Sequence, residues 1–513
     1  MTQTLVRGRY LVADPGHVPG AGLLTDGAVL VEAGRVSTIG EYRVLAASHP
    51  NARTLGSPRH MVIPGLVNAH HHGRGLSAAQ LGVPDDHLER WLLDYLAAPA
   101  LDVELDTLYA NLRLIRSGVT TVIHSGYARV PGRLEQESHA TLAAYRACGL
   151  RVAYAVGYED QFGLVHGQDE AFFQTLPGPL ARRTRAAFPP PSHDQIERAL
   201  NFVTELAAAH AQDDRVRILY GPSWTAWCSD ALLARTAELS AASGLGIHIH
   251  ALESPYEREL ARRRQGGTTI DGLERLGLLS ARTTLAHGVW LTEDEIILCA
   301  QTGTSIAHCP SSNLRLRNGI APVRRFWQGG LNVAIGTDSW GLNSDEDMFQ
   351  EMRLAWMLAR LPHAHRFVDG PSAHDILRMA TLGGAEASTF GREFGTLLPG
   401  APADLVILDY AAMTAPHIAP NVDPVDALLH LARPAHVDSV MIAGELVLDH
   451  GRFPGIDEDG VARRLAEVAA RPRHSGESEL TQLARELRPH IDAHYAQWPD
   501  TTVEPYAMVN SRT

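Results

Sequence analysis

Two histidines at alternate positions, His70 and His72, follow an apolar stretch at residues 61–67. If this stretch is a strand, side chains two residues apart face the same way, so both imidazoles point into one cavity while His71 points elsewhere. Neutral imidazoles at this spacing can bind one divalent metal ion. The pattern therefore predicts half of a metal site, and His71 is the member least expected to contact the ion.

The same spacing recurs at His248 and His250, which end a second short apolar run. On a strand, His250 would supply a third neutral ligand. Glu253 follows three residues later, close enough to carry a proton beside the metal. A single strand-end histidine is more often structural than a ligand, but histidines at the ends of several strands favour a metal site.

Three further polar residues end apolar runs: His287, His308 and Asp338. Asp338 can complete a shell of three histidines and one carboxylate. Its free oxygen can accept a proton from metal-bound water, which the ion makes acidic enough to supply hydroxide near neutral pH. His287 is predicted to polarise the electrophile or hold the nucleophilic oxygen, and His308 to orient Asp338 or touch the substrate. A purely structural role stays open for both histidines.

The region from about residue 76 to 341 contains the elements that must position these side chains. Short apolar runs alternate there with longer segments of helical period, such as 194–209 and 229–243, as in the strand–helix units of a parallel sheet or barrel. The eight predicted strands end near His72, His124, Gly157, Gly221, His250, His287, His308 and Asp338. The sequence thus predicts an α/β fold, a (β/α)8 TIM-like barrel whose strand ends form the active-site face.

Both flanks of this region carry short alternating stretches that indicate small antiparallel strands. Two such segments around a barrel predict a small composite β-sandwich domain built from both chain ends. The predicted limits are 1–60 and 396–458 for the sandwich module, 61–395 for the metal-dependent barrel, and 459–513 for a C-terminal helical extension. The extension is expected to wrap the module or a neighbouring subunit.

Composition and charge limit the partners of the protein. A net charge of -13 argues against nonspecific binding to nucleic acid. No stretch reaches the roughly 18 apolar residues of a membrane span, and the start of the chain lacks a basic and then apolar leader, so a cytoplasmic protein is expected. The four cysteines form no Cys-x-x-Cys pair and are predicted to be buried thiols.

The chain contains no lysine, because all 45 of its basic residues are arginine. A phosphate loop of the Gly-x-x-x-x-Gly-Lys type, a lysine Schiff base and a metal-bridging carboxylated lysine are therefore impossible.

Together these motifs resemble the amidohydrolase superfamily, and most closely its branch of mononuclear metal-dependent deaminases and chlorohydrolases. The matching segments are 62–72, 248–253, 285–287, 307–314 and 336–338, and 395–406 is similar to part of the superfamily's sandwich module. Five ordered motifs at strand ends make the resemblance specific, and it covers nearly the whole chain.

The resemblance implies the site residues one by one. The implied metal ligands are His70, His72, His250 and Asp338, and the implied catalytic residues are Glu253, His287 and Asp338. Superfamily members with two metals commonly bridge them through a carboxylated lysine, so this lysine-free chain is expected to hold one divalent ion. Zn²⁺ suits three imidazoles and one carboxylate, although Fe²⁺ or Mn²⁺ also fit.

The substrate contacts are less defined, because many relatives have a histidine where this chain has Ser223 and Trp224. The candidate contacts are His308, His124, Trp224 and Gln161. Trp340 can wall an aromatic pocket or simply pack. The polar candidates also include Glu159 and Asp160, which would suit a cationic ring, and Arg315 and Arg317, which would suit a carboxylate. The charge of the substrate therefore stays open.

A proline-rich segment at 176–191 carries three arginines and follows the third predicted strand. Its prolines argue against a long helix or strand. Two interpretations stay open: a loop that clamps an anionic substrate, and a solvated surface excursion.

The predicted function is hydrolytic deamination of an amino-substituted heterocycle or amidine-like small molecule. Glu253 would protonate a ring nitrogen, and a metal-activated hydroxide, deprotonated by Asp338 and positioned by His287, would attack the adjacent carbon and release ammonia. The alternatives are loss of chloride or an alkylamine from a triazine-like ring, hydrolysis of a cyclic amide, and a catalytically inactive scaffold. A homo-oligomer, most simply a homodimer, is expected.

Overall fold

The computed structural model describes residues 3–16, 22–128, 130, 132–161, 163–167, 169–265, 267–338, 343, 345–361, 369–472 and 474–498. The strands in this part of the chain form two sheets. They are β1 (Thr4–Val12), β2 (Leu23–Glu32), β3 (Arg35–Glu41), β4 (Arg53–Pro64), β5 (Leu66–His71), β6 (Val119–Ser125), β7 (Arg151–Tyr158), β8 (Val216–Pro222), β9 (Ile247–Ala251), β10 (Thr283–His287), β11 (Ser305–His308), β12 (Asn332–Ile335), β13 (Leu405–Leu408), β14 (Val437–Ile442) and β15 (Glu445–Leu448).

The eight strands β5 to β12 are parallel and neighbour one another in chain order, which confirms the predicted barrel. The sheet meets itself where the backbone N–H of Asp338 donates to the carbonyl of His70 at 3.0 Å. Seven strands end at or next to the predicted residue, whereas β12 ends at Ile335, before Asp338. Polar strand ends therefore do gather at one face of the barrel.

Helices follow the barrel strands and account for most of the remaining structure. They are α1 (Tyr42–Ser48), α2 (Leu88–Leu96), α3 (Val103–Arg116), α4 (Leu134–Cys148), α5 (Asp169–Thr175), α6 (Gly178–Ala187), α7 (His193–Ala209), α8 (Asp230–Ser243), α9 (Pro255–Gln265), α10 (Thr269–Arg275), α11 (Glu293–Thr302), α12 (Pro310–Arg315), α13 (Val323–Gln328), α14 (Met348–Leu358), α15 (Ala373–Arg378), α16 (Gly384–Ala387), α17 (Tyr410–Met413), α18 (Pro424–Leu431), α19 (Glu458–Ala469) and α20 (Ser475–Tyr495), with a π-helical turn at Met379–Gly383 and 3-10 turns at Arg392–Gly395 and Pro434–His436. The predicted helices α7 and α8 begin after Ser192 and Ser229, whose side chains accept hydrogen bonds from the first turn.

The second sheet contains seven strands from both ends of the chain, in the order β15-β14-β13-β4-β1-β2-β3. All seven strands contribute apolar side chains to one cluster, from Val36 on β3 to Leu446 on β15, so the sheet curves around a shared core. Its pairs are antiparallel except β1 with β4, which is parallel. The antiparallel prediction is wrong for this pair, because β2, β3 and α1 return the chain in the same direction before β4 begins. The predicted domain limits stay predictions.

The proline-rich segment 176–191 is more regular than predicted, since it contains the ten-residue helix α6. Pro179 lies in the first turn, where a helix does not use the backbone N–H that proline lacks. Arg183 and Arg185 form exposed ion pairs with glutamates at 2.6 and 2.7 Å. These two arginines therefore lie on the surface, as expected if the segment is a solvated surface excursion.

The C-terminal extension is helical at α19 and α20, as predicted, while 499–513 lie outside the described residues. Its main contacts are with the barrel helices, α19 with α3 and α20 with α2 and α6, and not with the sheet module as expected. The reason is an apolar stripe of α20, including Leu483, Leu487 and Ile491, that completes a cluster with Leu93 and Phe172.

Two expectations from composition can be compared with the structure. All four cysteines are buried free thiols, which confirms the prediction. In the described ranges, no helix combines the length and apolar character that a membrane crossing requires.

Candidate active site

Three residues at the barrel mouth hold a left-handed backbone: Leu252 at φ 52°, His287 at φ 74° and Asp338 at φ 63°. Residues other than glycine avoid this region unless their surroundings impose it, and such positions cluster at functional sites. The left-handed turns interrupt the regular alternation of the strands. The side chains of His287 and Asp338 both line the cavity at the barrel mouth.

The predicted metal ligands converge at these strand ends. Ring nitrogens of His70, His72 and His250 lie within 4.8 Å of one another, and ligand atoms of His70, His287 and Asp338 form an overlapping group within the same limit. Asp338 Oδ1 lies 3.5 Å from His70 Nε2 and 3.4 Å from His72 Nε2. The structure thus brings together all four predicted ligands and the predicted catalytic histidine.

The donor set fits a divalent ion. His72 Nδ1 and His250 Nδ1 lie 2.8 and 2.5 Å from backbone carbonyls, and His70 Nδ1 lies 2.8 Å from His248 Nε2. His70 Nε2 is buried without a hydrogen-bond partner in the described part of the chain. Burial lowers the pKa of all three ligand imidazoles, for His250 to about 4, so each is neutral at pH 7. Such outer hydrogen bonds fix the tautomer that leaves Nε2 free to bind metal.

Asp338 also accepts a hydrogen bond from a residue outside the group of predicted metal ligands. Its Oδ2 accepts a hydrogen bond from the Ser312 hydroxyl at 2.5 Å. Burial raises the pKa of Asp338 to about 7, and the Ser312 hydrogen bond opposes this rise. A bound cation also stabilises the ionised carboxylate and lowers its pKa. Asp338 is therefore placed to accept and return a proton near neutral pH.

Glu253 and His287, both predicted to be catalytic, lie next to each other on one side of the site. His287 Nε2 lies 3.7 Å from Glu253 Oε2, and His287 Nδ1 lies 3.0 Å from Asn313 Oδ1. Asn318 Nδ2 donates to Glu253 Oε1 at 3.0 Å. Burial, followed by the negative charge of Asp338, raises the pKa of Glu253 well above its usual range. Burial therefore favours the protonated form of this acid.

Sequence reasoning missed Glu257, which fixes the loop that carries Glu253. Its Oε2 accepts from the backbone N–H of Leu252 at 2.8 Å and the Thr225 hydroxyl at 2.9 Å. Its Oε1 accepts from the N–H groups of Glu253 at 2.5 Å and Ser254 at 3.2 Å. The available signal was an acidic residue in the first turn of the helix that follows the strand.

A cavity of about 180 Å³ reaches this cluster. Its polar lining is His72, Ser223, His250, Glu253, His287 and Asp338, and its other lining residues are Leu88, Trp91, Leu92, Tyr95, Leu96, Tyr127, Trp224, Trp227 and Leu316. Trp224, a predicted substrate contact, is among them. Sequence reasoning missed the wall formed by α2. The signal was the helical spacing of Leu88, Trp91, Leu92 and Tyr95, which equally describes an ordinary core face.

The other predicted substrate contacts lie away from this wall. His308 is buried, and neither ring nitrogen has a hydrogen-bond partner among the described residues. His124 is buried with Nδ1 3.1 Å from the Tyr145 hydroxyl, and Gln161 accepts from Arg264 at 2.7 Å. The structure does not bring His308, His124 or Gln161 to the lining of the cavity, and Trp340 lies outside the described residues.

His71 lies in a separate buried network, as its position in the strand predicted. Its Nε2 is 3.2 Å from Glu346 Oε2, and the Thr337 hydroxyl donates to the same oxygen at 2.8 Å. Asn68 Nδ2 in turn donates to Thr337 Oγ1 at 2.9 Å. These contacts therefore connect β5 to the segment after β12, beside the predicted metal ligands.

Fold and site together define a (β/α)8 barrel whose strand ends carry a cluster of histidine and aspartate side chains that can hold a metal ion. Residues 61–447 match the model of the amidohydrolase family, and the chain belongs to that family.

Its relatives include named deaminases. The chain is 31% identical over 463 residues to the 5-methylthioadenosine/S-adenosylhomocysteine deaminase of Moorella thermoacetica, covering 88% of this chain and 97% of the relative. It is 33% identical over 455 residues to the 5'-deoxyadenosine deaminase of Methanothermobacter thermautotrophicus, covering 88% and 95%. A solved adenosine deaminase from Xanthomonas campestris with bound zinc is 27% identical, with a TM-score of 0.75 over 91% of this chain and 98% of that one.

Proposed function

We propose that the chain is a hydrolase that uses one metal ion to deaminate an amino-substituted heterocycle and release ammonia. The convergence of the His70, His72, His250 and Asp338 side chains beside Glu253, a buried acid whose pKa is raised, carries this proposal. Hydrolytic deamination needs an acid and a base with different surroundings, and Glu253 and Asp338 have them. Relatives named as deaminases support loss of an amino group over loss of chloride.

We propose Zn²⁺ as the ion, held by His70, His72, His250 and Asp338, although Fe²⁺ or Mn²⁺ suit the same donors. When bound, such an ion supplies a Lewis acid that makes water a nucleophile near neutral pH. The solved relative with bound zinc supports this choice. The absence of lysine from the sequence supports one ion rather than a pair bridged by a carboxylated lysine.

The protein's own residues account for the proton transfers. Glu253 donates a proton to a ring nitrogen, which makes the adjacent amino-bearing carbon more electrophilic. Asp338 accepts the proton released by the attacking water, and His287, held by Asn313, keeps the incoming oxygen in place. Return of a proton from Asp338 or Glu253 to the amino group makes ammonia the leaving group.

Ammonia release by zinc-loaded protein from a panel of adenine nucleosides, amino-triazines and guanidino compounds tests this function. We expect ammonia and a hydroxylated ring product in equal amounts from at least one amino-heterocycle. Asp338→Asn is expected to reduce kcat by about 10²–10⁴ while leaving the circular dichroism spectrum unchanged. Chloride release from chlorinated analogues without ammonia from any amino compound supports the rival reaction, and complete inactivity of the metal-loaded protein supports a scaffold.

We also propose that the enzyme works in the cytoplasm as a homodimer on a small-molecule substrate. Four free buried thiols and no disulfide in the described part of the chain are consistent with a reducing compartment. Light scattering after size-exclusion chromatography tests the dimer, and a monomeric mass at micromolar concentration would contradict it.

A further inference from the structure

The cavity walls around the catalytic cluster are apolar. One side comes from α2, which contributes Leu88, Trp91, Leu92, Tyr95 and Leu96. The other wall residues are Tyr127, Trp224, Trp227 and Leu316. Apart from the catalytic cluster, the polar groups of the described lining are the hydroxyls of Ser223, Tyr95 and Tyr127 and the tryptophan indole N–H groups, and no Asp, Glu or Arg outside the cluster lies in it. A substrate substituent therefore meets aromatic rings and aliphatic chains once the ring occupies the catalytic end.

Two arginines near the cavity, Arg315 and Arg264, form hydrogen bonds with residues that do not line it. Arg315, a candidate for binding a substrate carboxylate, pairs with Asp85 at 2.9 and 2.8 Å on the outer surface. Arg264 donates to Gln161 at 2.7 Å. In the described ranges no arginine lines the cavity. A substrate carboxylate inside it would therefore lose its water without gaining a cationic partner, which is costly.

Asp160, one of the acidic candidates, also has hydrogen-bond partners outside the cavity. Asp160 accepts from the backbone N–H of Ser229 at 2.7 Å and also contacts its hydroxyl, at the start of α8. Asp160 and Glu159 are both absent from the described lining. The conflict between acidic and basic candidates in the sequence is thus removed, because neither set reaches the cavity.

Building on the proposed deaminase function, we infer that this site selects amino-heterocycles with an uncharged, apolar substituent and rejects those with an anionic one. The names of the relatives include compounds with and without a charged tail, since 5-methylthioadenosine carries a neutral thioether and S-adenosylhomocysteine carries a zwitterionic amino-acid tail on the same adenine nucleoside. The reacting amino group is identical in the two compounds. A difference in their turnover therefore measures the preference of the cavity for the tail.

Two matched pairs of ligands test the inference on zinc-loaded protein. The first pair is 5'-methylthioadenosine and S-adenosylhomocysteine, whose tail is a zwitterion that carries a carboxylate, and the second is 9-isobutyladenine and adenin-9-ylacetic acid, which is an anion of nearly the same size. We expect the member without a carboxylate to bind at least about 100-fold more tightly in each pair, measured by quenching of tryptophan fluorescence, with the same order in kcat/KM. Equal binding within both pairs, tighter binding of the carboxylate-bearing members, or no binding of any of the four compounds overturns the inference.

A gain-of-charge variant provides the complementary test. Leu92 is a partly exposed lining residue, so Leu92→Arg can place a cation in the cavity wall without burying it. We expect Leu92→Arg to raise the affinity for the anion adenin-9-ylacetic acid about tenfold, and high salt to abolish this gain. Leu92→Gln, which is polar but uncharged, is the control and should show no gain. An equal gain in both variants contradicts a charge-based preference.

The two proposals fail in different ways. If neutral ligands bind preferentially but no compound releases ammonia, the deaminase function fails while the preference of the cavity stands. If ammonia is released equally well from neutral and anionic members, the function stands and the inferred preference fails.

Discussion

At the residue scale, Glu253 is unusual because it is a carboxylic acid buried beside another carboxyl group. Its raised pKa means that the folded chain holds a proton there at pH values where an exposed glutamate, with a pKa of 4.5, has lost it. The proposed general acid is therefore present below the folded-state pKa and is lost as the pH rises through it. The proton also stabilises the fold at low pH, and this contribution declines as the pH rises above the unfolded pKa.

Glu253→Gln should consequently lower kcat by about 10²–10⁴, because the amide keeps the size of the side chain but cannot deliver the proton. Any residual activity should lack the alkaline decline of the native profile, measured as kcat against pH. The free energy of unfolding of the variant, from urea titrations, should also fall less than that of the native protein as the pH rises above 4.5, the pKa of an exposed glutamate. A native-like alkaline decline in the variant would show that another group supplies the acid.

Glu257 is expected to act as a positioning residue through the loop that carries Glu253. Glu257→Gln replaces one acceptor oxygen by a donor that faces backbone N–H groups, so the loop should shift. We expect kcat to fall about tenfold with little change in KM, and the alkaline limb of the pH profile to move. Glu259→Gln on the same helix is the control, because Glu259 pairs with Arg262 and Arg263 instead. Equal effects of the two variants would indicate a general loss of stability.

At the element scale, α2 makes two sets of contacts. One side of the helix lines the cavity, and the other side packs against α20 and forms ion pairs with it. Arg488 of α20 donates to Asp86 at 2.5 Å and also contacts Asp94, while Arg90 donates to Asp492 at 2.5 Å. Ion pairs at this level of exposure contribute at most about 1 kcal/mol each, so we expect them to affect the position of α2 more than the stability of the fold.

Arg488→Gln is therefore expected to raise KM several-fold with a smaller change in kcat, because a looser wall weakens substrate binding more than chemistry. Steady-state kinetics on the best substrate measures both constants. Arg485→Gln, at an exposed position of the same helix, is the matched control and should leave both unchanged. An unchanged KM in Arg488→Gln would mean that α20 does not influence the wall.

The elements also show which parts of the structure could be predicted from the sequence and which could not. Strand ends such as His287 and His308 were predictable, because apolar runs followed by histidine mark them locally. The left-handed backbone at Asp338 and the parallel pairing of β1 with β4 were not, since both depend on neighbours distant in the chain. The same holds for Glu257, whose role rests on four hydrogen bonds that helical periodicity does not encode.

At the scale of the whole molecule, metal binding should be linked to stability, because the ligands come from three separate parts of the barrel. We expect close to one equivalent of zinc per chain by mass spectrometry, and chelation should lower Tm by several degrees, restored by added zinc. His250→Ala should lose the ion, whereas substitution of the exposed His450 should not. A reproducible content of two ions would contradict the one-metal site.

The closing hydrogen bond between Asp338 and His70 has a consequence for biosynthesis. These residues are about 270 positions apart, so a ribosome adding roughly 5–20 residues per second needs about 15–50 s between them. During that interval His70 and His72 are available without their carboxylate partner, and a nascent chain can hold a metal ion only with an incomplete set of ligands. The full set of proposed ligands therefore exists only after the eighth strand and Asp338 emerge, and we expect the finished barrel to take up the proposed ion after that moment.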